Sequence, residues 1–166
     1  MQQTIDPTSE IVTQAKSNVE RISSRLLHLL SFVPEDKLAW TPSPTSKSVL
    51  RIAAHAALVS KRFARLITGT MPEPMPAPDE FFQEFLEEEH AFTTRESVIA
   101  LVDDSTTELC HALDTVNAAN IDSDTNSPFG PMPMRFWVNL SYDHMAGHVG
   151  QLEFLQTIWG DLDNHM

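Results

Sequence analysis

Met134 to Trp159 reads MRFWVNLSYDHMAGHVGQLEFLQTIW. Trp137, Leu140, Leu152, Leu155 and Ile158 recur at helical spacing and form its candidate core face. Gly160 follows as a stop signal. The spacing predicts a long amphipathic helix, and His144 and His148 fall in line with Trp137, Leu155 and Trp159 on its inner side.

Three upstream segments share the helical pattern. The first is predicted over Pro7 to Phe32, opened by Asp6 as cap and Pro7 at the first helical position. Ile11, Ala15, Val19, Ile22, Leu26 and Leu29 form its stripe. The second is predicted over Lys47 to Thr68, capped by Ser46 or Ser48 and ended by Gly69, with Ile52, Ala56, Val59, Phe63 and Leu66 inward. The third is predicted over Thr94 to Ala119, with Thr93 and Glu96 as a capping box. Its stripe is Val98, Leu101, Val102, Leu109, Leu113 and Val116. Together with Met134 to Trp159 these make four long helices, an all-α four-helix bundle occupying residues 1–166 as a single domain.

Residues 69–93 form an unusually long connection between the second and third helices. Its first part carries Pro72, Pro74, Pro76 and Pro78 and is expected to be extended. Its second part carries Phe81, Phe82, Phe85 and Leu86, enough for a short packed helix. Such a length permits a crossover that leaves helices 2 and 3 parallel. Asn120 to Pro133, with Gly130 and three prolines, reads as a loop.

Composition narrows the function. Lys plus Arg number 11 and Asp plus Glu 23, a formal charge of −12. That acidity disfavours nucleic acid, whose binding depends on cations that neutralise phosphate, and disfavours anionic membranes. The longest nearly apolar run, Ile52 to Val59, is broken by His55 and is far too short to span a bilayer. Met1 to Ala15 carries no apolar leader, so a cytoplasmic location is expected. Cys110 is the sole cysteine, which removes an intrachain disulfide and a cysteine-based zinc site.

Seven histidines occur. His28 and His111 lie away from their helices' apolar stripes, His90 sits in a connection and His165 in the tail. His55, on the edge of the Ile52/Val59 stripe, and the pair His144 and His148 should all point inward. Two histidines four apart can direct ring nitrogens at one ion, and a third from a facing helix completes a triad. The four-residue spacing is weak alone, since roughly 0.3 such pairs arise by chance in a chain with this many histidines. Spacing and facing therefore leave two readings open: a metal site, or hydrogen-bonded core histidines. Residue 145 is Met, so the zincin pattern is missing. Neither Ser46 nor Ser48 has a local histidine–acid pair, so a serine hydrolase has no support. Cys110 reads as a passive thiol.

The segment Tyr142-Asp143-His144-Met145-Ala146-Gly147-His148-Val149-Gly150-Gln151-Leu152 resembles the last-helix signature of the DinB/YfiT-like superfamily. Leu38-Ala39-Trp40-Thr41-Pro42, followed by Ser48-Val49-Leu50 and His55, resembles its other half, a Trp/Pro loop leading into a helix with one histidine. The resemblance covers nearly the whole chain, though only these two segments are specific. It implies a four-helix bundle, a homodimer, and a divalent metal, zinc or nickel, on His55, His144 and His148. It also implies a small-molecule substrate and, by analogy with relatives that use bacillithiol or mycothiol, a low-molecular-weight thiol as partner. The activity implied is a metal-dependent transferase or hydrolase.

Three histidine ligands leave positions open for water or substrate, the arrangement of a catalytic site. Gln151 shares the face of the two last-helix histidines and is a candidate to bond a ligand or substrate, or else a packing amide. Trp40 is a candidate pocket wall, or else a loop anchor. The alternative to an enzyme is a non-enzymatic metal-binding or dimerisation bundle. Either way the ligands must be neutral, so metal affinity is expected to fall below a pH of roughly 6.5, the reference histidine value.

Overall fold

A computed structural model describes residues 6–166; residues 1–5, part of the leader-free stretch and of the single domain expected above, lie outside them. Helix α1 spans Pro7–Phe32, with the Asp6 carboxylate accepting from the Thr8 amide at 3.1 Å. Helix α2 spans Val49–Thr68, with Ser48 as its cap and Gly69 closing it in the left-handed region at φ 68°. A short helix α3 covers Pro78–Glu88, α4 covers Arg95–Leu113 and α5 covers Met134–Ile158. Several of these bounds follow from local chemistry: oxygens of Asp6, Ser48 and Thr94 satisfy free amides at the starts of α1, α2 and α4, and Gly69 and Gly160, both at positive φ, turn the chain after α2 and α5.

The four long helices form an all-α bundle whose core includes Leu26, Leu29, Leu66, Val98, Leu109, Leu113 and Leu152. Helix α4 runs parallel to α2: Glu89, just before α4, meets Lys47 and Arg51 at the start of α2, while Lys61 meets Asp104 and Glu108 further along both. Helix α5 runs opposite to α2, since His55 faces His144 and His148 while the later Phe63 faces the earlier Trp137. It runs with α1, because Arg21 meets Tyr142 and Arg25 meets Glu153. The crossover expected of residues 69–93 is therefore present, and α3 fills it by burying Phe81 and Phe85 against the buried guanidinium of Arg62, 5.9 Å and 4.1 Å from the two ring centres.

Several expectations are corrected. Helix α4 stops at Leu113 rather than Ala119, although Val116 beyond it is buried. Asn117 and Asn120 end it: the Asn117 amide donates to Asn120 Oδ1 at 2.8 Å and the Ala119 amide to Asn117 Oδ1 at 2.9 Å. Such side chains offer the backbone an alternative to the helix. The cap of α4 is Thr94 paired with Ser97, one residue after the predicted Thr93 and Glu96. Residues 120–133 are not wholly loop, because Asp124–Thr125 (β1) pairs antiparallel with Met132–Pro133 (β2). Ile158 is 45% exposed, and its neighbour Trp159 takes the inward place by packing edge-on against Trp40 at 6.1 Å.

Arg95 at the start of α4 secures the neighbouring end of α1, donating to the carbonyls of Leu30 and Val33. These carbonyls lie where the i to i+4 ladder of α1 runs out, and the Leu30 carbonyl also accepts from the Val33 amide at 3.3 Å. Among the described residues no helix is long and apolar enough to cross a membrane.

Candidate metal centre

Helix α2 brings His55 against the middle of α5, where His144 and His148 stand one turn apart. One nitrogen from each ring lies within 4.8 Å of the others, so the group could hold a metal ion. The remaining histidines are elsewhere. His28, His90 and His111 are exposed, and His165 stacks on Phe32 while meeting Asp161 at 2.9 Å.

Hydrogen bonds determine which nitrogens face inward. His55 Nδ1 donates to Glu89 Oε1 at 2.6 Å, which fixes the proton there and leaves Nε2 with its lone pair. His148 Nδ1 donates to Gln151 Oε1 at 2.8 Å, with the same consequence. His148 Nε2 lies 3.2 Å from His144 Nε2. His144 Nδ1 is buried and has no hydrogen-bond partner among the described residues.

This donor set suits a divalent cation. Tetrahedral coordination at about 2.1 Å separates imidazole nitrogens by roughly 3.4 Å, close to the spacing of the α5 pair. If His144 carries its proton on Nδ1, two lone pairs face each other across 3.2 Å, an arrangement that a cation between them relieves. If it carries the proton on Nε2, the buried Nδ1 lone pair is left unbonded. The acceptor on His55 is a carboxylate, one of the outer partners that commonly orient a metal-binding imidazole.

Electrostatics keep the rings neutral. Burial pushes His55 down to about 4, assisted by the charge of Lys47 and by His148. Burial pushes His144 down to about 3, assisted by His148 and His55. His148 is lowered chiefly by burial, against an opposing hydrogen bond to Gln151. Glu89 has no exposed surface, and burial alone would raise its carboxyl. The hydrogen bond and charge of Lys47, together with His55, outweigh that and hold it low. Arg51 Nη2 adds a third contact at 3.3 Å.

His55 and His148 open onto a cleft of about 660 Å³, also lined by Ser46, Lys47, Ile52, Gln151, Phe154 and Leu155 among others, with His144 behind them. Gly147 and Gly150 form part of its wall, and a Cβ at either would meet nothing within 4 Å. Gln151 thus touches both His148 and the cleft. Trp40 packs on Trp159 and lies outside the cleft lining. Asp143 is exposed, and Cys110 is buried with its thiol pushed up by desolvation.

Sequence reasoning gave no role to Glu89, Lys47 or Arg51. A signal for Glu89 existed: it continues the four-residue spacing of Phe81 and Phe85, which places a carboxylate where an apolar side chain is expected.

Residues 18–152 match the family model of the DinB superfamily. The chain belongs to the DinB superfamily. A DinB-like protein from Bacillus subtilis has a similar crystal structure, with a TM-score of 0.68 at 19% identity over 90% of this chain and 94% of that one. A conserved protein from Enterococcus faecalis gives 0.68 at 14% identity, over 91% and 95% of the two chains. A mycothiol-dependent maleylpyruvate isomerase gives 0.68 at 14% identity, over 85% of this chain. This DinB-superfamily chain spans 60% of that isomerase's length. At such identities the likeness shows a shared fold alone. No curated protein sequence matches the chain.

Proposed function

We propose that this chain is a metal-dependent enzyme acting on a small molecule, with a divalent ion, zinc or nickel, held by His55, His144 and His148. The observation that carries the reading is the convergence of three neutral imidazoles, two of which, His55 and His148, line an open cleft. Neutral rings on two facing helices are ready to accept a cation, whereas purely structural histidines would be expected to satisfy their nitrogens with protein groups. The reaction class is a transfer that uses a low-molecular-weight thiol, or a hydrolysis. The likeness to a mycothiol-dependent isomerase supports the thiol branch.

A divalent ion in this position would supply Lewis acidity and make a bound water or thiol more acidic. The chain's own groups do the rest. Glu89 fixes the His55 tautomer, and Gln151 does the same for His148. Ile52, Phe154 and Leu155 give the cleft an apolar wall that restricts water around a bound substrate. The same reading makes residues 1–166 one domain, working in the cytoplasm as a homodimer without nucleic-acid or membrane partners. For the dimer, Phe82 and Phe129 supply exposed aromatic surface, while Phe81 and Phe85 are spent in the core.

The test is elemental analysis of untagged protein beside a variant with His55, His144 and His148 all changed to Ala. The expected result is about one zinc or nickel per chain in the parent and none in a variant that keeps its helical signal. Absence of metal from both after supplementation overturns the reading. Metal bound without turnover of any thiol or electrophile, and lost only at a cost in melting temperature, favours the non-enzymatic binding bundle.

A further inference from the structure

The acidic residues of this chain are unevenly placed. Four other surface clefts each include at least one carboxylate, Glu10, Asp114, Asp161 and Asp124 among them. In the sequence Asp and Glu outnumber Lys and Arg by 23 to 11, yet neither lines the histidine cleft, whose single charged wall residue is Lys47.

Lys47 is not neutralised by its surroundings. It shares Glu89 with Arg51, so one carboxylate serves two fixed cations and one positive charge remains over. The imidazoles do not cancel it, being neutral. Its side chain is 28% exposed, and an ammonium has three donors, of which Glu89 Oε1 occupies one. The charge stands beside the site, since Lys47 Nζ and His55 Nδ1 meet the same oxygen, Glu89 Oε1, and Lys47 lines the cleft with His55 and His148. The rest of the wall is mostly apolar, including Ile52, Leu155 and Phe154, the last 66% exposed at the cleft.

We propose that the cleft binds a small molecule carrying a carboxylate-type anionic group on an apolar body, with Lys47 Nζ receiving the anion beside the histidines and Phe154 and Leu155 covering the body. The proposal rests on the metal-site reading and makes Lys47 the specificity-determining residue of that site. A cation next to a low-dielectric wall favours an anion over its neutral isostere, because the charge-assisted hydrogen bond is stronger than a neutral one.

The experiment is calorimetric titration of zinc-loaded and metal-free protein with phenylacetate and with phenylacetamide, zinc being assayed in every sample. Phenylacetate is expected to bind zinc-loaded wild type about tenfold more tightly than the amide. Lys47→Met should lose about that factor for phenylacetate and leave the amide unchanged, while Lys47→Arg should restore the preference. Added salt should narrow it. Equal affinity for the two probes, no binding of phenylacetate, or wild-type phenylacetate affinity in a zinc-loaded Lys47→Met variant each overturns the proposal; the last would mean that zinc alone holds the carboxylate. Failure of wild type to take up zinc overturns the metal reading instead, and the metal-free titrations then judge Lys47 through the same Met and Arg variants. Those titrations also decide if Lys47→Met alone loses zinc.

Discussion

On the α2 side of the cleft, His55 is gripped by Glu89, a side chain with no exposed surface that lies 34 residues further along the sequence. On the α5 side, His148 leans on Gln151, which is exposed and only three residues away, and His144 has nothing on its outer nitrogen. One half of the centre is therefore built by tertiary structure and the other by the pitch of a single helix. The Glu89 contact exists only when the crossover brings the end of α3 back over the start of α2. The Gln151 contact is available to any helix with this sequence. Loading of the centre and stability of the fold should consequently be coupled through His55 and much less through His148.

Glu89→Ala should have the largest effect. It leaves Lys47 and Arg51 without their shared carboxylate and His55 without its acceptor. Breaking a buried charge cluster by removing one member costs about 3 kcal/mol or more, and losing an outer partner of a metal-binding histidine costs about 10- to 100-fold in metal affinity. Chemical denaturation and zinc competition would measure the two separately. Glu89→Gln preserves an acceptor for His55 Nδ1 but not the negative charge, so it should retain more metal affinity than stability. Equal tolerance of both substitutions would break the contrast between the two sides.

Protonation sharpens the same contrast. Burial lowers both rings from 6.5, but Glu89 opposes the shift at His55 and nothing comparable does so at His144, which explains about 4 against about 3. In the metal-free protein an NMR titration should therefore show His144 taking its proton at lower pH than His55. Both values lie below the unfolded value of 6.5, so the unfolded chain binds more protons in between. The contribution of these rings to stability is fully present above 6.5 and is lost as pH falls through about 4 and then about 3. If a metal binds, its affinity should accordingly hold to lower pH than a reference histidine of 6.5 implies, and chelator competition at pH 5 would separate the two expectations. Early protonation of His144 would show that its ring is more solvated than its buried outer nitrogen indicates.

The contrast also marks what could be read in advance. The start of α1 and the ends of α2 and α5 are legible to within a residue because Asp6, Gly69 and Gly160 act within a few residues of themselves. The inward facing of His55, His144 and His148 was legible because helical pitch alone sets it. The end of α4 was not, because Val116 is buried from outside the helix and imitates its periodicity. Glu89 sits in an acidic run with Glu87 and Glu88, and its role depends on a fold-back that periodicity does not encode. Lys47 read as the first residue of the second helix, whereas it precedes the Ser48 cap and is free to line the cleft.

Gln151→Ala should have the smallest effect and is the most discriminating. Its side chain is exposed and makes a single local bond, so stability should change by no more than about 0.5 kcal/mol. Metal affinity should still fall, by about tenfold, because His148 Nδ1 loses the acceptor that selects its tautomer. Water can replace that acceptor at an exposed position, which argues for the lower end of the range. Zinc competition and thermal melting of the metal-free variant would separate the two quantities. A change in affinity without a change in melting temperature is the signature of local support; loss of both would mean that the α5 half of the centre is tied to the fold as firmly as the α2 half.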